Sequence, residues 1–421
     1  MTSGSPTRIS RVGVSPARKA TALVAGVGCV NGLAAIRSLG RIGVPVIALN
    51  HGSAALGFRS RFARPRVCPD PVTEEEDYVR FLIELGDELD GPAPIFPTGD
   101  DHLETIARHA DKLNGRFLYP FPPWTILEKI QSKQYQLDRA GELGVPTPRT
   151  SVSPTDEFGF PTLVKPTDPV GFRRSFGRQA FRCRNMEELE AAFERSRPYG
   201  PLVQEFIPGE DRNLYQVGAY LDDAGEALAI FCCRKLRQIE SSPGVGSTRI
   251  AVTAWEDEAV RQSLALLSGL GCRGLAEVEF KRDPRDGLFK LMEVNPRLWQ
   301  WHGLASSCGV DFPQIAYGHL LQASVPPIRL SGEERRWAIT FLTASGHERR
   351  SSASEVGWAG WKARMPAVPR PPYVDAIFAL DDPMPSLLQV ARLLARPVWR
   401  TLKLARRLVR GRPDAGTGRA A

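Results

Sequence analysis

Glu293-Val-Asn295-Pro-Arg297 sets a carboxylate, an amide and a guanidinium at alternate positions. In a strand, alternate side chains share a face, so the three would line one wall. Glu277-Val-Glu279 precedes them with two more carboxylates at the same alternation. Between the two runs, Asp283-Pro-Arg-Asp-Gly287 has the composition of a hairpin turn. The runs would then pair, with Glu279 opposite Glu293. Carboxylates that close repel unless a cation lies between them. Such oxygen ligands suit Mg²⁺ (or Mn²⁺), and Mg²⁺ usually takes one or two carboxylates together with substrate phosphates. Taken alone, the motif is an ordinary hairpin with a polar face. Only the rest of the chain makes it a candidate site.

The elements that would position these groups read as follows. Thr21–Ala25 is a short apolar strand, Gly26-Val-Gly28-Cys-Val-Asn31-Gly32 a turn, Leu33–Leu39 a helix and Val44–Leu49 a second strand. Backbone N–H groups at a helix start favour an anion. The glycine spacing misses the full dinucleotide pattern, so a small-molecule or structural turn is expected. Helices are expected over Glu74–Leu89 and Leu103–Leu113, and strands around Val67 and over Pro94–Pro97. Asp100 and Asp101 sit at a strand's C-terminal end, where open α/β sheets bind ligands. They serve equally well as helix caps. Ile126–Gly144 reads as one helix carrying Lys129 and Lys133. Phe160–Lys165 is a strand stopped by Pro166, and Thr167–Gln179 an Arg-rich loop, either a lid over phosphates or a solvated turn. Leu202–Ile207 is a strand, and Tyr215–Leu221 with Ala227–Phe231 a hairpin. Lys235–Arg249 is basic and Gly-rich. Trp255–Leu270 and Gln314–Leu321 are helical. Glu333–Phe378 has a helical beginning, with a strand at Tyr373–Leu380.

A chain of 421 residues is too long for one small core, so two or three subdomains are expected. No uninterrupted apolar run approaches the roughly 20 residues needed to span a bilayer. The formal charge of +8 is concentrated at the ends: Met384–Arg412 alone carries eight basic residues and no acid. The high pI therefore gives no warrant for a nucleic-acid-binding core. Seven cysteines show no C-x-x-C spacing, which argues against a zinc site or a disulfide framework and for reduced thiols in a cytoplasm. The basic residues before Ala22–Val30 imitate a signal peptide. The Gly-rich turn and helix that follow favour a disordered leader, residues 1–20, and then a first strand.

In order and spacing, several segments together resemble the ATP-grasp superfamily of ligases. Lys133 precedes "GVPTP", Lys165 ends "PTLVKP", "VQEFIPGED" follows, and "AEVEF" and "MEVNPR" close the set. The resemblance covers about residues 20–325. It implies an α/β (α+β) fold: a Rossmann-like pre-ATP-grasp domain over 21–121, a two-lobed ATP-grasp domain over 122–325, a C-terminal extension over 326–383 and a basic tail over 384–421. It implies that Lys133 and Lys165 contact ATP phosphates. Gln204 would read the adenine amino group, with Glu205 and Ile207 as the hinge that holds adenine through its backbone. Glu210, or Asp211, would bind ribose. Glu279, Glu293 and Asn295 would hold the metal, and Arg297 would steady an acyl phosphate or carboxylate. "RKLRQIESSPGVGSTR" is similar to a stretch of stand-alone carboxylate–amine ligases of the D-aspartate ligase type. This makes Lys235, Arg237 and Arg249 candidate binders of the acceptor carboxylate or transferred phosphate.

The chain departs from the resemblance in two places. Thr167–Gln179 lacks the glycine cluster of D-alanine–D-alanine ligases, and Leu298-Trp-Gln-Trp-His302 replaces the motif usual in biotin carboxylases. The expected activity is ADP-forming: a carboxylate is activated by ATP as an acyl phosphate and joined to an amine. A bicarbonate or thiol acceptor, and a non-catalytic ATP-binding scaffold, are the alternatives. His102 and His302 are read as structural.

The expected partners are small carboxylates and amines, with a homodimer as a further expectation. Leu387–Arg410 has helical spacing, with Arg396, Arg400, Lys403, Arg407 and Arg410 on one face and Leu387, Leu394, Val398 and Val409 on the other. Pro397 divides it. Residues 384–412 therefore read as a peripheral membrane contact at the inner face, or as a helix packed on its own domain.

Overall fold

The computed structural model describes residues 19–113, 115–242, 245–329, 334–339 and 373–392. The leader before Lys19 and the tail beyond Arg392, with its basic face from Arg396 to Arg410, lie outside the described residues.

The first sheet is parallel, in the order β3-β2-β1-β4-β5. Its strands are β1 (Ala22–Ala25), β2 (Val46–Asn50), β3 (Ala63–Val67), β4 (Ala93–Pro97) and β5 (Phe117–Leu118), joined by helices α1 (Val30–Arg41), α2 (Glu75–Asp87) and α3 (Asp100–Arg108). β1 is buried at every residue, as its continuous apolar run requires in a sheet covered on both faces. Gly26, at φ +87°, turns the chain from β1 toward α1, in a backbone region that a side chain would strain. α3 starts three residues earlier than its apolar spacing suggests, because Asp100 and Asp101 form its first turn, where negative charge meets the helix N-terminus.

α4 (Trp124–Gln131) and α5 (Lys133–Glu142) replace the single helix expected over Ile126–Gly144. The break falls at Ser132, whose Oγ accepts from Tyr135 N–H at 3.4 Å and caps α5. Lys133 is thereby the first residue of a helix rather than a mid-helix residue.

A four-stranded sheet follows, ordered β6-β9-β7-β8: β6 (Thr150–Ser151), β7 (Thr162–Pro166), β8 (Phe181–Cys183) and β9 (Pro201–Glu205). Two helices, α6 (Pro169–Phe176) and α7 (Met186–Ser196), accompany it. α6 corrects the expected loop over Thr167–Gln179. Asp168 caps it by accepting from Gly171 N–H, Pro169 opens it, and Gly177 ends it at φ +65°.

The third sheet has eight strands and runs β14-β13-β10-β11-β12-β16-β17, with β15 beside β11. It comprises β10 (Leu214–Leu221), β11 (Ala227–Ser242), β12 (Val245–Thr253), β13 (Gly274–Arg282), β14 (Phe289–Asn295), β15 (Ile328–Arg329), β16 (Arg336–Ala338) and β17 (Tyr373–Asp375), with α8 (Asp257–Gly269), α9 (His302–Ser307) and α10 (Phe312–Leu320). Residues 336–338 are therefore a strand where a helical beginning was expected, and the segment after 326 adds strands to this sheet. β16 completes the pairing of β12, whose edge would otherwise be open, and β17 pairs with β16 in turn. At Gly218 the Trp299 ring lies against the backbone: an added Cβ would fall 2.0 Å from Trp299 Cζ2.

One apolar cluster joins the first and third sheets, from Val24, Ile36 and Phe96 to Phe231, Trp299, Trp301 and Tyr317. The C-terminal segment closes over α1. Fully buried Asp382 accepts from Arg37 Nε at 2.9 Å, Ser60 Oγ at 2.8 Å and Arg61 N–H at 2.9 Å. Asp382→Ala leaves the buried Arg37 guanidinium without its counter-charge, which costs about 3–5 kcal/mol. Urea unfolding of the variant should read a loss of that size. A loss below about 1 kcal/mol would show that this anchor contributes little.

Candidate functional site

β13 and β14 pair antiparallel with Glu279 opposite Glu293 and Glu277 opposite Asn295. The Asp283–Gly287 turn fixes this register: Gly287 N–H donates to Asp283 O at 2.7 Å, and Asp283 binds Arg285 and Lys290. The next strand, β10, places Gln216 beside Glu279. Its Nε2 donates to Glu277 Oε1 at 2.8 Å and Glu279 Oε2 at 3.0 Å. Asn295 Nδ2 donates to Glu293 Oε1 at 3.0 Å and Glu277 Oε2 at 3.3 Å. Burial and the neighbouring Glu279 charge push the Glu277 carboxyl up to about 8. Burial also raises Glu279, with Lys235 opposing and Glu293 adding to the rise. For Glu293, burial is outweighed by Lys133, Asn295, Lys165 and Lys235, which hold it below the usual carboxylate range.

Lys133 and Lys165 come to this face from α5 and from β7. Burial lowers both. Arg173 pushes Lys133 further down, against Glu293 and Asp100. The charge of Lys133 helps bring Lys165 to about 8, against Glu293 and Glu279. Both lysines are thus crowded by other cations, Lys133 by Arg173 and Lys165 by Lys133, an arrangement that suits an anion. Arg297 joins the same group. It pairs through Nε with Asp100 Oδ1 and through Nη2 with Asp100 Oδ2 at 3.2 Å, and its Nη2 reaches Asn295 Oδ1 at 3.5 Å. Asp100 also lies 3.7 Å from Arg173 Nη2 on α6. It thus acts at the site as well as in the first turn of its helix.

Gln204 is buried in β9. Its Nε2 donates to Thr150 Oγ1 at 3.2 Å, and its Oε1 is buried without a partner. That orphaned acceptor fits an exocyclic amine such as adenine carries. Glu205 follows, its carboxylate held by Arg149 at 2.8 Å and Arg285 at 3.4 Å, and its N–H taken by Arg149 O. Ile207 is buried, and its carbonyl accepts from Lys281 Nζ at 2.8 Å.

Glu210 or its alternative Asp211, Lys235 and Arg249 have other neighbours than the resemblance implies. Glu210 is exposed, pairs with Arg212 at 2.7 Å and caps the short Asp211–Asn213 turn, which commits its side chain. Asp211 turns inward instead, accepting from Gln238 N–H and Nε2. Lys235, expected at the acceptor, is 2% exposed and 2.7 Å from Glu279 Oε2. Burial works against its charge, but Glu279, Glu277 and Glu293 outweigh it and hold its pKa above the ordinary value. Arg249 sits at an irregularity in the β11–β12 register, with its Nε buried and unpartnered. No ion pair joins it to the carboxylates among the described residues.

Among the described residues, no group of three or more His, Cys, Asp or Glu is arranged to hold a metal by itself. The donors instead fit a cation that arrives with phosphate oxygens: two facing carboxylates and the Asn295 carbonyl. Glu277 was visible in the sequence through its alternation with Glu279. Gln216 and Trp301 gave no such signal, because their meeting with Glu277 depends on tertiary structure.

No protein-family profile matches the chain. It is similar to the D-aspartate ligase of Enterococcus faecium, 25% identical over 221 residues, 48% of this chain and 52% of that protein. It is also similar to the carbamoyl phosphate synthase large chain of Myxococcus xanthus, 24% identical over 310 residues, 68% of this chain and 27% of that protein. The matches thus span about half, or less, of these relatives' length. Among solved structures, the Campylobacter jejuni biotin carboxylase complexed with β,γ-ATP has a TM-score of 0.56 at 18% identity, covering 74% of this chain and 73% of that one. At that level of identity the likeness to the biotin carboxylase shows a shared fold, a mixed α/β architecture with parallel and antiparallel sheets.

His302 ties α9 to the first turn of α1, its Nε2 2.9 Å from Asn31 O. Burial holds it at about 4, below its ordinary 6.5, so the native ring stays neutral. The unfolded chain then binds more protons between these values, and stability falls as pH drops from 6.5 toward 4, by up to about 1.4 kcal/mol per unit. His302→Gln should show a shallower loss over that window in urea titrations. An unchanged slope would contradict the assignment.

Proposed function

We propose that the protein is an ATP-dependent carboxylate–amine ligase that forms carbon–nitrogen bonds and releases ADP and phosphate. The observation that carries this reading is the pairing of Glu279 and Glu293 beneath Lys133 and Lys165. Phosphoryl transfer needs positioning and charge neutralisation more than covalent help from the protein. Lys133 and Lys165 would hold the phosphates, Gln204 the adenine amine, and Glu279, Glu293 and Asn295 a Mg²⁺ ion. That ion would supply charge neutralisation at the transferred phosphate. Arg297 would steady the carboxylate as it becomes an acyl phosphate, after exchanging Asp100 for the substrate. An amine then displaces phosphate.

The D-aspartate ligase likeness favours an amino acid among the substrates. Phosphate release measured across a panel of carboxylates and amines tests the reading. Release that needs both a carboxylate and an amine supports it; release with bicarbonate or a thiol alone points to another acceptor; none with any pair favours a scaffold. Glu293→Gln should abolish turnover while leaving the circular dichroism spectrum unchanged. Turnover at the wild-type rate would sink the metal assignment.

The same reading places the enzyme in the cytoplasm, acting as a homodimer, with residues 384–412 resting on the inner face of the membrane. No helix among the described residues is long and apolar enough to cross a membrane. Residues 384–392 are helical and leave Met384, Leu387 and Val390 exposed just ahead of the basic run. An exposed apolar edge beside lysines and arginines suits an anionic lipid surface. Deleting residues 384–421 should abolish sedimentation with phosphatidylserine vesicles. Equal binding by the shortened and full chains would exclude the contact.

A further inference from the structure

Glu277 is not needed as a ligand by the proposed reaction, yet it sits at the centre of the hydrogen bonds beneath the site. It is 4% exposed. Its Oε1 accepts from Gln216 Nε2 at 2.8 Å and from Trp301 Nε1 at 2.6 Å, and its Oε2 accepts from Asn295 Nδ2 at 3.3 Å. All three neighbours present N–H groups, so no acceptor among them could take a carboxyl proton, and this donor set favours the carboxylate against the burial and the Glu279 charge that raise its pKa. An asparagine has one acceptor side and one donor side. Holding the donor side of Asn295 toward Glu277 and Glu293 turns its Oδ1 the other way, where it meets Arg297 Nη2 at 3.5 Å. Oδ1 is the atom of Asn295 that a cation would take. The same carboxylate fixes Gln216, whose Nε2 it shares with Glu279.

We infer that Glu277 is a positioning residue: it sets the amide orientation of Asn295, and through Gln216 the carboxylate of Glu279, so that both present oxygen to the bound cation. The inference rests on the ligase reading. Groups that orient metal ligands commonly govern affinity by about 10–100-fold when removed.

Glu277→Gln tests it, because the substitution keeps the shape and changes one acceptor to a donor. If the new amide keeps its oxygen toward Gln216 and Trp301, its NH₂ group faces Asn295 Nδ2, donor against donor. Asn295 must then rotate and offer N–H where the cation needs oxygen. Mn²⁺ binding by the full chain in the presence of a non-hydrolysable ATP analogue, followed by electron paramagnetic resonance, should weaken about 10–100-fold. The analogue alone, without metal, should bind as before. Combining Glu277→Gln with Asn295→Asp exchanges donor and acceptor between the pair, keeps its charge, and should restore Mn²⁺ binding. Trp301→Phe removes a donor to Oε1 only and should leave Mn²⁺ affinity within a few-fold of wild type.

Wild-type affinity in Glu277→Gln, no recovery in the double variant, or an equal loss in Trp301→Phe would overturn the inference. If Glu277→Gln alone does not fold, the double variant decides: folded and binding supports the role, and unfolded or non-binding refutes it. A wild-type chain that binds no Mn²⁺ with the analogue would instead remove the ligase reading beneath it.

Discussion

Three carboxylates share one face of the β13–β14 hairpin, and the architecture around them follows from the need to offset their charge. Burying an ionised carboxylate without a partner is prohibitive. Here the compensating ammonium groups come from separate elements: Lys235 from β11, Lys133 from the first turn of α5, and Lys165 from the end of β7. None of these elements neighbours the hairpin in sequence. The electrostatic demand therefore constrains how the four-stranded sheet and the helix pair sit over the eight-stranded sheet. The same demand explains the weakened lysines. Arg173 lowers the proton affinity of Lys133, and Lys133 that of Lys165, so a bound polyphosphate would relieve repulsion as well as gain attraction.

The hairpin register was legible in the sequence because a strand has a strict period of two, and a turn sequence bounded by two such runs leaves little freedom. The positions of Lys133, Lys165 and Gln204 followed from motif order. The helix break at Ser132 was not read, since the apolar spacing runs on across it and the cap is a single hydroxyl. α6 carried all its signals, Asp168 and Pro169 at one end and Gly177 at the other, but its arginines made it look like a loop. Lys235 shows a deeper limit. Sequence shows that cations and carboxylates are both present, but not which will meet. Buried in β11 within reach of Glu279, Lys235 balances charge where the family resemblance implied an acceptor contact. Glu210 and Asp211 illustrate the same limit at a turn, where local capping takes one acid and leaves its neighbour facing inward.

Asp100 connects parts of the molecule that the sequence keeps far apart. It begins α3 of the first sheet, pairs with Arg297 just beyond β14, and lies near Arg173 on α6. A carboxylate on Arg297 occupies the place proposed for a substrate carboxylate. The site is thus held in order by a group chemically like the one it would receive, and arginine's flat fork accepts either with little reorganisation.

The anchor of Asp382 on Arg37 spans 345 residues. As the chain leaves the ribosome, α1 is complete long before Asp382 exists. The guanidinium of Arg37 cannot be buried without cost until that partner arrives, so the outer surface of α1 stays wet through most of synthesis. A helix made early is in this sense sealed by a segment made 345 residues later.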